Sequence, residues 1–343
     1  MRENSGKENE KLDHGLKLLV NSSIIVFIAI IFSKLLNYAY RIIVARYFGP
    51  EIYGLYSLTL VTAGWFVAIS LLGFDEGITR YISFYRGEKD KDKIKYLFRF
   101  SSRILFFSTL FVGGILFFSA DYISSLIFHN SELSYVLKIS AVILPFWVFY
   151  QYFLSIIRAF EKINQLSLID NILNYSSKLI LMILFIFLGL QTNSVFFSFF
   201  IGMVFISIVS FLYCKYKLPE LFFRYNLDEK TKKEISRSFI SYSWPAMFSG
   251  VILILPYWID SIALGFFKSV KEVGLYNAVI PISLLLTVTP EIFLRLFFPM
   301  VTKEYASKDM TFIKNISKKI GKWILMINLP AFFLMLLFPE TII

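Results

Sequence analysis

The chain of 343 residues is 57% hydrophobic and 19% aromatic, with 17% charged residues and a mean hydropathy of +0.66, which excludes an ordinary soluble domain. Its net charge of +11 sits in loops that interleave acids with bases and hold no recognised nucleic-acid module, so nucleic acid is excluded as a partner. A single cysteine, Cys214, excludes an intrachain disulfide.

Residues 1–17 carry Arg2, Lys7, Lys11 and Lys17 with acids among them. The apolar run that follows is too long for a secretion signal and has no small-residue cleavage site, so this segment reads as a cytoplasmic tail. Runs of about 20 apolar residues, enough to cross a ~30 Å hydrocarbon core, fall near 18–40, 55–74, 101–120, 135–157, 168–190, 194–214, 240–266, 276–299 and 321–338. They read as helices, because lipid offers no partner to an open backbone, and they lack the alternation of a membrane β-barrel. Lys and Arg crowd the tail and the segments 76–100, 158–167, 215–238 and 300–320, whereas the loops between hold Arg41, Arg46, Lys268 and Lys271. By the positive-inside rule this is a multi-pass protein of the cell (cytoplasmic) membrane with its N-terminus in the cytoplasm.

The chain repeats itself. Phe48-Gly49-Pro50-Glu51-Ile52-Tyr53-Gly54-Leu55-Tyr56 returns as Phe267 through Val273-Gly274-Leu275-Tyr276 with one residue inserted, and an offset of 220 continues to pair Tyr85 with Tyr305 and Phe118 with Phe338. Six apolar segments separate the copies, an even number, so both cross in the same direction as parallel repeats about an axis along the membrane normal. The expected fold is all-α: about nine transmembrane helices in a parallel six-helix repeat whose second lobe is truncated. Its parts are the tail 1–17, a first six-helix lobe 18–214, a basic cytoplasmic linker 215–238 and an incomplete second lobe 239–343 of three helices, since Ile343 corresponds to Ile123.

Ionisable groups inside spans cost about 2.5–3.5 kcal/mol each on insertion scales and mark candidate sites. Asp170, Asn174 and Lys178 fall at i, i+4 and i+8 on one helical stripe, which faces either a wet cavity or satisfying neighbours. Lys34, Asn37 and Arg41 form a second stripe, with snorkelling the simpler reading for Arg41. Asp260 and the i,i+4 pair Glu291 and Arg295 follow in later spans, where a self-neutralising pair competes with a functional one. Arg80 sits where the second span ends, with headgroup contact as its default role. No phosphate loop, metal cluster or nucleophile with an adjacent base is present, so neither an enzyme nor a cofactor is expected. The outer segments 120–134 and 191–193, with Asp121 and Glu132 as their acids, are too short for a membrane glycosyltransferase site.

The stretch Arg46 through Leu58, the span ending Leu72-Gly73-Phe74, and Thr79-Arg80-Tyr81, with Asp260-Ser261-Ile262-Ala263-Leu264-Gly265 and Val273-Gly274-Leu275-Tyr276 in the second copy, closely resemble polysaccharide-repeat-unit flippases of the multidrug/oligosaccharidyl-lipid/polysaccharide exporter superfamily. The resemblance covers essentially the whole chain. It implies two six-helix lobes around a cavity that faces each side in turn and moves a polyprenyl-pyrophosphate-linked oligosaccharide across the membrane for polysaccharide biosynthesis. The cavity cations available for that substrate are Lys34, Arg41, Arg80, Lys178 and Arg295. Asn37, Asp170, Asn174, Asp260 and Glu291 are the candidates for a polar or ion site. Expected partners are the lipid-linked oligosaccharide, membrane lipids, and glycosyltransferases or a polymerase of the same pathway. Two alternatives stand beside this reading: a multidrug or cation antiporter, which would favour a buried carboxylate, and a non-transporting scaffold in a glycan-assembly complex. Relatives carry twelve to fourteen spans, so the sequence is expected to be a fragment or a chain that needs a partner.

Overall fold

The computed structural model describes residues 28–287, 289–290, 293, 301 and 310–338. Nearly all of these are helical, none lies in a strand, and eight helical stretches are long and apolar enough to cross a membrane. The first of them, Ile28–Leu71, contains two of the expected spans. Gly49 stands at φ +86 and ψ 169, outside any helical conformation, with Pro50 opening the next helix. In a straight helix residues 40 and 56 would lie ~24 Å apart along the axis, yet the rings of Tyr40 and Tyr56 have centroids 5.7 Å apart. The chain therefore folds back at Gly49, giving α1 (28–48), whose last turn Val44–Phe48 is π-wound, and α2 (Gly49–Leu71).

The basic segment after α2 is more ordered than its charge suggests. Phe74, Ile78, Ile82 and Tyr85 recur at helical spacing and are buried, and they hold an amphipathic helix, α3 (Phe74–Gly87), against the bundle. Then come α4 (Lys91–Tyr122), begun by an Asp90 side chain that accepts from the Lys93 amide at 3.1 Å, and α5 (Glu132–Ala159). Next are α6 (Ile163–Phe187), with a π-wound turn over Leu168–Leu173, and α7 (Asn193–Lys217). The series ends with α8 (Glu229–Phe267), α9 (Val270–Ser283) and α10 (Met310–Leu337).

The chain separates into two compact units, one ending at Gly274 and one beginning at Leu275. In the first, α5 is the hub, packing against α2, α3, α4 and α7. Its Tyr150 and Tyr152 are fully buried, and the Tyr152 hydroxyl is shared between Ser101 at 2.7 Å and the Phe98 carbonyl at 3.1 Å. This unit also includes α8, which lies on α2, α3 and α4. Tyr96 and Ser236 share a 2.7 Å hydrogen bond there, Tyr81 donates to the Ser238 carbonyl at 2.9 Å, and the rings of Phe74 and Phe239 meet at 4.7 Å. Of the segment 215–238, Pro219–Phe222 forms a 3₁₀ turn, and Arg99 donates to the carbonyls of Phe222 and Phe223 at 3.0 and 3.1 Å. The residues from Glu229 onward already belong to α8. Within the second unit Asn328 donates to the Leu286 carbonyl at 2.7 Å, and Phe293 packs edge-on against Trp323.

The two copies of the repeated motif meet at their starts. A methyl group on Gly54 would collide with the backbone carbonyl of Val270, and one on Gly274 with the backbone carbonyl of Pro50. The offset of 220 pairs Gly54 with Gly274 and Pro50 with Val270, so each contact is the image of the other. Such reciprocity, i against j and j against i, is the mark of a two-fold relation. Glycine is required because the backbones touch where a side chain would begin.

Candidate functional site

The polar residues of the first unit gather where α1, α2, α5, α6 and α7 converge. The π-wound turn Leu168–Leu173 adds a residue to the winding of α6 just where Asp170 lies. Tyr150 of α5 donates to Asp170 at 2.5 Å and accepts from the Asn174 amide at 3.0 Å. Asp170 is half-buried and Asn174 is buried, and the Asn174 carbonyl oxygen has no hydrogen-bond partner among the described residues. Asn171 donates to Ser167 at 3.0 Å, and its carbonyl oxygen faces the Ser33 hydroxyl of α1 at 3.4 Å.

One turn beyond Asn174, Lys178 is 8% exposed, which places it inside the first unit rather than on an open wall. Its ammonium lies 4.9 Å from the centroid of Phe199 and 5.8 Å from that of Tyr175, close enough for cation–π attraction. Gly202 of α7 leaves room for it: a Cβ there would sit 2.8 Å from Lys178 Cγ. Phe199 also packs edge-on against Tyr56 and Trp147, so the lysine ends in an aromatic enclosure.

On α1, Arg41 is half-buried and donates to the Tyr53 hydroxyl at 3.3 Å, across the fold-back at Gly49. Tyr40 donates to the Val195 carbonyl at 3.0 Å and shares a 3.1 Å hydrogen bond with Ser198. Asn37 is half-buried, whereas Lys34 and, on α8, Asp260 are exposed. Arg80 is also exposed, with its guanidinium 4.2 Å from the centroid of Tyr242 on α8. Glu291 and Arg295 lie outside the described residues.

The structure thus joins Asp170 and Asn174 through Tyr150, sets Lys178 one turn away against aromatic rings, and lays Arg80 on Tyr242 of α8. Sequence reasoning missed the tyrosines. The available signal was a hydroxyl in an apolar span, which needs a partner where a phenylalanine would not. A cavity of about 560 Å³ lies elsewhere, between the α2–α3 junction and α8, with Asp75, Glu76, Tyr242 and Pro245 in its lining. Tyr242, the ring under Arg80, therefore belongs to that wall. Among the described residues no group of three or more His, Cys, Asp or Glu side chains is placed to hold a metal ion.

Long apolar helices in which a repeated motif meets its own copy define a multi-pass membrane protein built on an internal repeat. A solved structure of an inward-facing multidrug resistance MATE family transporter of the MOP superfamily has this fold, at TM-score 0.63 and 16% identity over 92% of this chain and 73% of that one. A second solved structure, described as protein A, matches at TM-score 0.58 and 20% identity, over 95% of this chain and 74% of that one. The profile of the polysaccharide biosynthesis protein family matches residues 19–303, and the chain belongs to that family. No curated protein matches the sequence significantly.

Proposed function

We propose that this protein takes part in moving a polyprenyl-pyrophosphate-linked oligosaccharide from the cytoplasmic to the outer leaflet of the cell membrane, for polysaccharide biosynthesis. The observation that carries the reading is the reciprocal glycine contact in a chain of the polysaccharide biosynthesis family. Two like repeats whose backbones meet directly at one crossing have a pivot there, and rocking about such a pivot is the motion alternating access needs. A pyrophosphate entering a low-dielectric cleft requires compensating cations, and Lys34, Arg41 and Arg80 are the groups proposed for it. In this reading the tail and the basic loops are cytoplasmic, and glycosyltransferases or a polymerase of the pathway are its neighbours.

The test is flipping in liposomes by the protein as its own cells produce it, using a fluorescent lipid-linked oligosaccharide and an impermeant quencher. Lys34→Gln with Arg41→Gln should lower the flipping rate at least ten-fold at unchanged protein level. An unchanged rate would remove the cationic cleft from the account.

A second reading, a cation antiporter of the same superfamily, is favoured by one observation, the half-buried Asp170 held by Tyr150. The two are compatible if Asp170 couples transport to an ion gradient. In that case Asp170→Asn should leave the flipping rate without any response to an imposed sodium or proton gradient.

A further inference from the structure

The basic ends of three helices enclose a basin of about 420 Å³, separate from the polar core. α3 and α5 finish side by side in the same manner. Lys89 and Glu161 stand at φ +59 and +58, and the amides of Asp90 and Lys162 reach back to the carbonyls of Tyr85 and Ile157 at 3.0 and 3.2 Å, closing each helix. Arg86 ties the two ends together, donating to the Ala159 carbonyl at 2.5 Å with its guanidinium 5.0 Å from the Phe160 centroid. α7 ends beside them at Lys217. These turns bring Arg86, Lys89, Lys91, Lys162 and Lys217 to one rim, over a floor of buried Ile94, Phe160 and Leu218.

Topology and the partial negative charge of helix C-termini account for cations on this face in general. They do not account for five cations lining one basin. Elsewhere on the face Lys93 pairs with Glu88 at 3.1 Å, Lys95 with Asp92 at 2.7 Å and Lys232 with Glu229 at 2.6 Å, while Lys230 and Lys233, with no carboxylate within 4.0 Å among the described residues, lie along α8 rather than on a shared rim. At the basin Lys91 has Glu220 at 3.0 Å and Arg86 has Glu161 at 3.8 Å. Lys89, Lys162 and Lys217 have no carboxylate within 4.0 Å among the described residues. Like charges gathered over an apolar floor concentrate anions, and ammonium and guanidinium donors match phosphate oxygens. Phe84, two residues from Arg86, and Tyr216, next to Lys217, are exposed aromatics of the kind that sit at headgroup level.

We infer that this basin binds a phosphate-bearing group, carried by the headgroup of an anionic lipid in the leaflet that meets the basic face. The inference stands on the basin alone and does not depend on what the protein transports.

Native mass spectrometry of the purified full chain, titrated with short-chain phosphatidate and with phosphatidylcholine, tests it. Phosphatidate should bind the unmodified protein more tightly than phosphatidylcholine. The triple variant Lys89→Gln/Lys162→Gln/Lys217→Gln, whose changes are all at exposed side chains, should melt as the unmodified protein does. It should weaken phosphatidate binding about five-fold per lysine, about 100-fold in all. A control triple on the same face, Lys230→Gln/Lys233→Gln/Arg237→Gln, also at exposed positions, should weaken it less than about three-fold, the remnant expected of long-range attraction. Equal losses in both triples, no loss in the first, or no preference for phosphatidate would overturn the site. A calorimetric titration with inorganic diphosphate separates the two sources of phosphate. Diphosphate binding as tight as that of phosphatidate, and abolished by the first triple, would overturn the lipid assignment in favour of a soluble ligand.

Discussion

Tyr150 uses its hydroxyl twice, donating to Asp170 and accepting from Asn174. Removing it leaves a carboxylate and an amide without their partner in a buried setting, at a cost of roughly 1–3 kcal/mol. Tyr150→Phe should therefore lower the melting temperature in detergent, measured by thermal shift. Asp170→Asn keeps an acceptor for the same hydroxyl and should lower it less. The polar stripe of α6 was legible from sequence because Asp170, Asn174 and Lys178 repeat at helical spacing. Its destinations were not legible, because the π-wound turn at Leu168–Leu173 shifts the winding without changing composition. Nor does spacing reveal that Lys178 ends against Phe199, since the enclosure is built from three other helices.

At the scale of elements, the crossing of α2 and the start of α9 makes a quantitative prediction. Gly54→Ala and Gly274→Ala each force the two backbones apart, and overpacking of this kind costs about 1–3 kcal/mol. One displacement relieves both contacts, so the double variant should cost clearly less than the sum of the singles. A double-mutant cycle on unfolding in mild detergent checks this, and full additivity would mean the contacts are independent. The N-terminus of α8 carries a pH-dependent device of smaller reach. Hydrogen bonds from Thr231, the hydroxyl first and then the amide, hold the Asp228 carboxyl below the usual carboxylate range. Because folding lowers this value, the cap contributes fully above the unfolded value near 3.9 and is lost as pH falls through the lowered one. Hydrogen exchange at the Thr231 amide, corrected for intrinsic rate, should accelerate over that acidic window and be flat above it. The spans themselves were readable from apolar run length. Helix α3 was hidden because its charged residues dominate the composition, while only four large buried side chains, Phe74, Ile78, Ile82 and Tyr85, carry the amphipathic pattern.

For the whole molecule, the parallel-repeat arrangement predicts a strict sidedness. Single cysteines placed at Lys89, Lys162 and Lys230, in a background where Cys214 is replaced by alanine, should react with an impermeant maleimide only from the cytoplasmic side of oriented membranes. Cysteines at Asn130 and Lys268 should react only from the other side, and labelling of Lys268 from the same side as Lys89 would end the parallel-repeat account. The glycine contact also has a consequence for descent. A surface that meets its own copy by a two-fold relation within one chain is the same surface that would join two separate copies of a shorter chain. The Gly54 face is thus suited to homodimerisation, and a half-length ancestor could have assembled through it before duplication joined the two copies covalently.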